Sequence, residues 1–298
     1  MATRNRLDTL KVTLAKSESL IKNNRVIFTI LDDGSTDGTF NYIKKNYPEI
    51  NILRNTQSKG IFYCRNVLFN KVITRFAITI DDDVNFLGDI DVDNIIDYFN
   101  KHKDCSVMAF RIFWGYELPD SHSTEESTCK VKSFGAGAHA LRMSSWKKIS
   151  QLPVWFDFYG EEDFIAIEFF KIGQYVHYTP FILVHHRADI KARKNDRDYL
   201  TRSRRSLRSG WYLYFLFYPL KYIPRKFCYS VWMQIKLKVL KGDLKAFKAL
   251  LLAIGDIGRN SLRIYKDRKP LTTSHYNNYL RLPEAKLYWF PLIREEKN

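Results

Sequence analysis

Two hydrophobic rhythms alternate over the first 80 residues. Leu7, Leu10, Leu14 and Leu20-Ile21 recur at three- to four-residue spacing, which predicts a helix over 7–23. Residues 26–31 (VIFTIL) form a short β-branched run, the pattern of a buried strand. The run stops abruptly in DDGSTDGT, a cluster of turn and helix-capping residues, and a helix follows over 40–47. A second strand is predicted at 50–55, a helix at 60–71 and a third strand at 76–80, which runs straight into Asp81-Asp82-Asp83. Strands alternating with helices in this way imply a parallel sheet with crossover helices.

The rhythm is less regular over 105–186. A strand is expected at 107–113, a polar loop at 119–130, and a glycine-rich apolar segment at 134–141. A helix with an acidic first turn follows at 161–172, then strand segments at 175–184 around Pro180. Beyond residue 187 the pattern is basic, aromatic and mainly helical.

Charge sharpens this division. Residues 1–186 carry 22 Lys+Arg against 23 Asp+Glu, a net of −1, whereas residues 187–298 carry 26 against 9, a net of +17. The chain's formal charge of +16 therefore resides in its last third. A near-neutral module over 1–187 and a basic helical extension over 188–298 are expected. The four cysteines are scattered with no C-x-x-C pair, so neither a zinc cluster nor a disulfide framework is indicated, which favours a reducing compartment. The N-terminus has no apolar signal core, and no apolar run approaches the ~20 residues of a membrane span.

The candidate chemistry lies in the acidic residues. In open sheets with parallel strands, ligands bind beyond the carboxyl ends of the strands. Two predicted strands end there in Asp32-Asp33 and Asp81-Asp82-Asp83. Three adjacent carboxylates repel one another, and a buried site keeps them charged only with a cation. Hard divalent ions such as Mg²⁺ or Mn²⁺ take oxygen ligands and bridge to phosphates. A solvated acidic turn is the plain alternative for either cluster alone, and the occurrence of two at strand ends favours a metal–diphosphate site. A third group, Glu161-Glu162-Asp163, follows an aromatic stretch. Carboxylates there complement a helix dipole, and aromatic neighbours can also raise a carboxyl pKa toward that of a useful base.

Taken together, the segments resemble the family 2 glycosyltransferases of GT-A fold, over about residues 1–187. The resemblance rests on Thr3-Arg4-Asn5-Arg6, Asp32-Asp33-Gly34-Ser35, Gly60 with Arg65-Asn66, Asp81-Asp82-Asp83 as the D-x-D signature, Gly135-Ala136-Gly137, Glu162-Asp163 and His185-His186. It implies an α/β, Rossmann-type mixed sheet flanked by helices. It also implies an inverting enzyme that moves a sugar from a nucleotide-diphosphate donor to a glycan or lipid-linked hydroxyl in surface polysaccharide synthesis, with a divalent cation (Mg²⁺ or Mn²⁺). On the donor side it would place Thr3, Arg4, Asp32 at the base, Asp33, Gly60, Arg65 near the diphosphate or ribose, Asp81 and Asp82. Asp83 would hold the metal, with His185 completing its shell, although the adjacent His186 is an equal choice. Asp163 would be the general base, paired with Glu162, and Gly135, Ala136, Gly137 and Trp155 would lie on the acceptor side. The chain departs from the family in two places. Only Met1-Ala2 precede Thr3 where the family has an apolar first strand, so that strand is expected to be missing or truncated in this chain, or the true start to lie upstream. Ile165 and Phe169 stand where the family often has an acidic residue and an arginine.

In the extension, arginines and lysines interleave with aromatics from Arg204 to Trp232, and Lys236, Lys238, Lys241, Lys245 and Lys248 follow. This composition suits an anionic membrane surface. It also suits a helical cap on the sheet. A nucleic-acid surface is the third reading, and no nucleic-acid partner is expected beside such a catalytic module. Peripheral attachment to the cytoplasmic face of the cell membrane is the resulting expectation. The rival readings are a nucleotidyltransferase, for which no glycine-rich, lysine-bearing phosphate loop is found, and a catalytically impaired nucleotide- or membrane-binding module.

Overall fold

The structure, a computed structural model, describes residues 1–119, 121–135, 137–188 and 198–284. Ala2–Thr3 form β1, Leu7–Lys16 α1, Glu18–Ile21 α2, Thr29–Asp32 β2, Thr39–Asn46 α3, Asn51–Arg54 β3 and Ile61–Lys71 α4. Then come Phe76–Ile80 (β4), Val84–Phe86 (β5), Val92–Lys101 (α5), Cys105–Trp114 (β6), Cys129–Val131 (β7), Ala138–Arg142 (β8) and Met143–Trp146 (α6). Glu161–Lys171 (α7) and Tyr175–His186 (β9) complete the first part. The helices Tyr199–Phe217 (α8), Ile223–Leu237 (α9), Leu244–Arg259 (α10), Ser261–Asp267 (α11) and Thr273–Arg281 (α12) follow.

The early rhythm translates directly into elements, with the expected first helix broken at Ser17 into α1 and α2. The segments expected around Pro180 form one strand, β9, whose pairing with β6 shifts register between Thr179 and Leu183. Proline cannot donate to the ladder, so the strand bulges there and resumes.

The strands form two sheets, not one. β1, β2 and β3 run parallel. The other sheet follows the order β4-β8-β6-β9-β5, with β7 on β9, and mixes parallel and antiparallel pairs. Of the first strand only Ala2 and Thr3 are present, and they pair with Leu31 and Asp32. The consequence of so short a β1 is a slot. The unpaired edges of the first sheet and of β4 face a cavity of about 890 Å³, lined by Met1, Thr29, Ile52, Arg65 and much of β4. Asp82 ties the carboxyl end of the first sheet to that of β4: Thr3 Oγ1 donates to its carboxylate (2.8 Å) and Thr13 Oγ1, on α1, to its carbonyl (2.6 Å).

One hydrophobic cluster packs α4, α6, α7, α8 and α12 against one sheet face, and another packs α5 against the opposite face. The helices beyond residue 198 thus share a core with the strands: Tyr212, Leu216, Phe217 and Tyr276 lie in the same cluster as Phe62 and Phe164. Two polar ties fasten them further. The Trp155 indole N–H donates to Asp267 (2.8 Å), and buried Asp256 receives a two-pronged contact from Arg204 (2.7 and 2.5 Å). No described helix is long and apolar enough to cross a membrane.

Candidate active site

The carboxyl ends of β1, β2 and β4 and the amino end of α7 converge. The turn after β2 is built by its own polar residues. Gly34 holds a φ of +75°, and a Cβ there would lie 3.1 Å from the backbone of Gln57 and Ser58, so only glycine allows the two loops to touch. Asn5, itself at a φ of +50°, takes the Thr36 N–H on its side-chain oxygen (2.8 Å) and gives its own N–H to Ser35 (2.9 Å). That locks the opening T-R-N-R segment onto the DDGST turn.

The two aspartates of this turn divide the work. Asp33 accepts from Asn55, Ser58 and the backbone N–H groups of Lys59 and Gly60, at 2.7–3.0 Å. Those donors outweigh desolvation and bring its carboxyl down to about 2. Asp33 is therefore saturated by protein groups and shapes the loop that Gly60 closes ahead of α4. Asp32 is fully buried. Its Oδ1 accepts the Ser35 N–H (2.9 Å), and Arg54 lies 3.4 Å from Oδ2, which has no hydrogen-bond partner among the described residues. A buried carboxylate oxygen without a donor costs free energy until a ligand N–H or O–H reaches it.

At the end of β4 the three aspartates point to different partners. Asp81 receives Arg65 at 2.7 Å, and the same guanidinium pairs with Glu161, so one buried arginine joins β4 to the first turn of α7. Asp82 takes Thr3 and Arg6. Burial, reinforced by its acidic neighbours, pushes its carboxyl up to about 7 despite Arg6. Asp83 is also desolvated, but His186 at 3.1 Å and Arg6 at 2.8 Å hold its carboxyl far below the usual range.

The histidine choice is resolved by strand periodicity. Successive side chains on β9 point to opposite faces. His186 lies against Asp83, whereas the His185 ring contacts the Gly115 carbonyl (2.7 Å), and desolvation lowers its pKa. Of the two adjacent histidines it is thus His186, the alternative to the expected His185, that the strand brings beside Asp83. Gly137 has a different place from the one expected. Its carbonyl accepts the Asp81 N–H (2.9 Å), and a Cβ on it would sit 2.9 Å from His186 Nδ1, so it backs the aspartate cluster. Gly135 precedes β8 in the same loop, and Ala136 lies outside the described residues. Trp155, expected on the acceptor side, packs on Phe156 and Tyr212 at the junction with the later helices. Arg4 is exposed.

The acidic turn of α7 separates its members by helical geometry. Glu161 faces Arg65. Glu162 is pushed up to about 7 by burial and by Asp163 and Asp81, with Arg65 opposing, so it belongs electrostatically to the β4 end. Asp163 hydrogen-bonds Ser133 and feels Glu284, and its burial also raises its pKa. Its charge acts on Tyr218 and Tyr279 rather than on the β4 aspartates. Two positions assigned no role from sequence emerge here, Arg6 and Glu161, and His186 emerges over its neighbour His185. The period-two rule could have singled out only the histidine.

As for a cation, no group of three or more His, Cys, Asp or Glu side chains among the described residues is arranged to hold a metal. Asp83 with His186 nevertheless offers one oxygen and one nitrogen ligand side by side. The Arg6 guanidinium bridges Asp82 and Asp83, where positive charge is needed. A partial shell completed by phosphate oxygens is the usual habit of a nucleotide-bound divalent ion, so the donor set fits.

Residues 1–151 match Glycosyl transferase family 2, and the chain belongs to this family. Its fold is that of the GT-A glycosyltransferases. Among solved structures, GalNAc-T7 with UDP, GalNAc and Mn²⁺ is similar at 11% identity and a TM-score of 0.60, over 88% of this chain and 56% of that one. A mannosyltransferase from Pyrobaculum calidifontis in complex with GDP-Man and Mn²⁺ is similar at 11% identity and a TM-score of 0.55, over 94% and 81%. S. aureus TarS 1-349 in complex with UDP-GlcNAc is similar at 15% identity and 0.56, over 89% and 82%. This chain spans only 37% of another S. aureus TarS structure, at 14% identity and a TM-score of 0.51. No curated protein matches the sequence.

Proposed function

We propose that the chain transfers a sugar from a nucleoside-diphosphate donor to a hydroxyl of a glycan or lipid-linked acceptor, with inversion, as a step in surface polysaccharide synthesis. The observation that carries this reading is the convergence of Asp32, the β4 aspartates and the α7 carboxylates at one end of the strands. Solved neighbours of the same fold were captured with UDP, GalNAc and Mn²⁺, with GDP-Man and Mn²⁺, and with UDP-GlcNAc, which supports a donor of that kind.

In this reading the Oδ2 of Asp32, which lacks a hydrogen-bond donor among the described residues, accepts an N–H of the nucleobase. Thr3 serves the nucleoside indirectly, by holding Asp82. Asp81 and Arg65 would border the ribose and diphosphate, and Asp83 with His186 would hold the cation. Bound Mn²⁺ or Mg²⁺ would neutralise the charge that builds on the departing diphosphate. Glu162 is the base. It removes the proton of the acceptor hydroxyl, whose oxygen bonds to the anomeric carbon as the bond to the diphosphate breaks on the opposite face. A carboxyl near 7 is well matched to proton abstraction at neutral pH. Asp163 positions the start of α7 through Ser133.

The test is a panel of UDP-, GDP-, dTDP- and CDP-sugars, with and without Mn²⁺, read by thermal shift and by donor hydrolysis. At least one donor should raise the melting temperature in a Mn²⁺-dependent way and be hydrolysed slowly. Asp83→Asn should abolish the Mn²⁺ dependence, and although loss of the His186 and Arg6 pairs lowers the ligand-free melt, unfolding should remain cooperative. A panel with neither shift nor hydrolysis refutes the reading.

A further inference from the structure

Among the described residues, the helices beyond residue 198 leave one apolar surface uncovered. α9 and α10 pack inward on α8 through Phe227, Val231, Leu250 and Ala253, around Trp211. The opposite side of α10 is apolar yet exposed: Leu244 (77%), Phe247 (42%), Leu251 (53%) and Ile254 (40%). Their spacing of three, four and three residues places them in one stripe along the helix. Lys245, Lys248 and Arg259 are exposed on one flank of that stripe, between it and the buried side. The outer side of α9 repeats the theme, with exposed Tyr229 and Trp232 beside Arg225 and Lys236.

A solvated surface does not require a continuous apolar stripe on a helix whose other side already supplies the core contact, and large exposed apolar patches mark interaction sites. The neighbouring charge selects the partner. Lysine and arginine beside an apolar stripe, with Trp and Tyr on the adjoining helix, are the composition of helices that lie in the plane of an anionic bilayer. Tryptophan and tyrosine favour the headgroup level, and long basic side chains reach phosphates while their stems rest on acyl chains. A protein partner matched to this surface would need its own acidic rim around an apolar centre, and nothing else in the fold points to one. We infer that α9 and α10 form a monotopic docking surface for an anionic lipid bilayer, with Leu244, Phe247, Leu251 and Ile254 entering the headgroup–acyl boundary. Attachment through this surface would hold the enzyme beside a lipid-linked acceptor. It stands on exposure and charge alone, independently of the catalytic reading.

The test is co-sedimentation of the full chain with phosphatidylglycerol-containing vesicles and with pure phosphatidylcholine vesicles, at low and high salt. The anionic vesicles should bind more, part of the binding should survive high salt, and Trp232 should contribute a blue-shifted emission on binding. Lys245→Glu with Lys248→Glu should reduce low-salt binding at least tenfold, since each lysine near an anionic surface contributes about fivefold. Phe247→Ser with Leu251→Ser should remove the salt-resistant part. Both pairs lie outside the core, so melting temperature and donor binding should be unchanged, which separates loss of docking from loss of fold or of the catalytic site. Equal recovery of the unmodified protein in the supernatant with and without anionic vesicles at low salt overturns the inference. So does sedimentation-velocity behaviour of a dimer that the Phe247→Ser/Leu251→Ser pair converts to monomer, because the stripe is then covered by a second copy.

Discussion

Replacing Glu162 by glutamine separates the two carboxylates that could serve as base. Glutamine keeps the shape and the hydrogen-bonding reach but cannot take a proton. Turnover should fall by about 10²- to 10⁴-fold, the usual worth of a positioned general base, with donor affinity little changed. The pH profile carries the sharper test. With its carboxyl near 7, the ionised fraction is about one-tenth at pH 6 and about nine-tenths at pH 8. In the unmodified chain kcat/KM should therefore rise about tenfold across that interval, and the dependence should disappear in Glu162→Gln. A carboxyl at its ordinary 4.5 would be almost fully ionised throughout, and the profile would be flat. Stability should move in the opposite sense. Because the folded pKa is raised, the neutral form is favoured by the fold. Its contribution is complete below the unfolded value and is lost as pH rises through about 7. Glu162→Gln, always neutral, should thus melt higher than the unmodified chain at pH 8 and equally at pH 4. Asp163→Asn, acting on the Ser133 contact, should cost less than tenfold in turnover. Turnover retained within threefold in Glu162→Gln, together with its collapse in Asp163→Asn, would refute the assignment and make Asp163 the base.

Gly137→Ala places a methyl group 2.9 Å from His186 Nδ1, and Trp114 already packs at a tilt against that ring, with centroids 4.1 Å apart, so the imidazole has little room to retreat. Mn²⁺-dependent nucleotide affinity should fall about tenfold, with a stability loss of about 1–3 kcal/mol from overpacking. Unchanged titration of Mn²⁺ in the presence of nucleoside diphosphate would show that His186 plays no part. A second variant addresses the slot. The Met1 ammonium is buried, and desolvation lowers its pKa to about 6. Appending five alternating apolar residues ahead of Met1 removes that buried charge and supplies a strand able to pair with both facing edges. A net gain of a few kcal/mol, after chain entropy, should raise the melting temperature by about 5–10 °C. A Gly-Ser extension should do nothing, and equal melts for the two extensions would contradict the strand reading.

The early elements and the acidic clusters were legible in sequence because their causes are local. Period-two and period-3.6 apolar spacing, turn residues after strands and carboxylates at strand ends all act within a few residues of chain. For that reason Asp32-Asp33, Asp81-Asp82-Asp83 and the α7 turn could be marked, and the charge asymmetry could be read by counting. What each carboxylate does depends on contacts between segments far apart. Asp33 looks like a ligand in sequence, but donors from residues 55–60 saturate it. Asp32 beside it keeps an oxygen without a hydrogen-bond partner because the fold brings it only Ser35 and a more distant Arg54. That His186 rather than His185 lies beside Asp83 follows from the alternation of side chains along β9, and that Glu162 feels Arg65 and Asp81 while Asp163 meets Ser133 follows from where α7 packs. The slot beside β1 is also tertiary: two residues suffice to start a strand against β2, but whether β4 closes the gap is decided by packing on both sheet faces. The basic extension shows the same division. Its charge was plain from composition, whereas only the packing of α9 and α10 on α8 decided which of its apolar residues are core and which face outward.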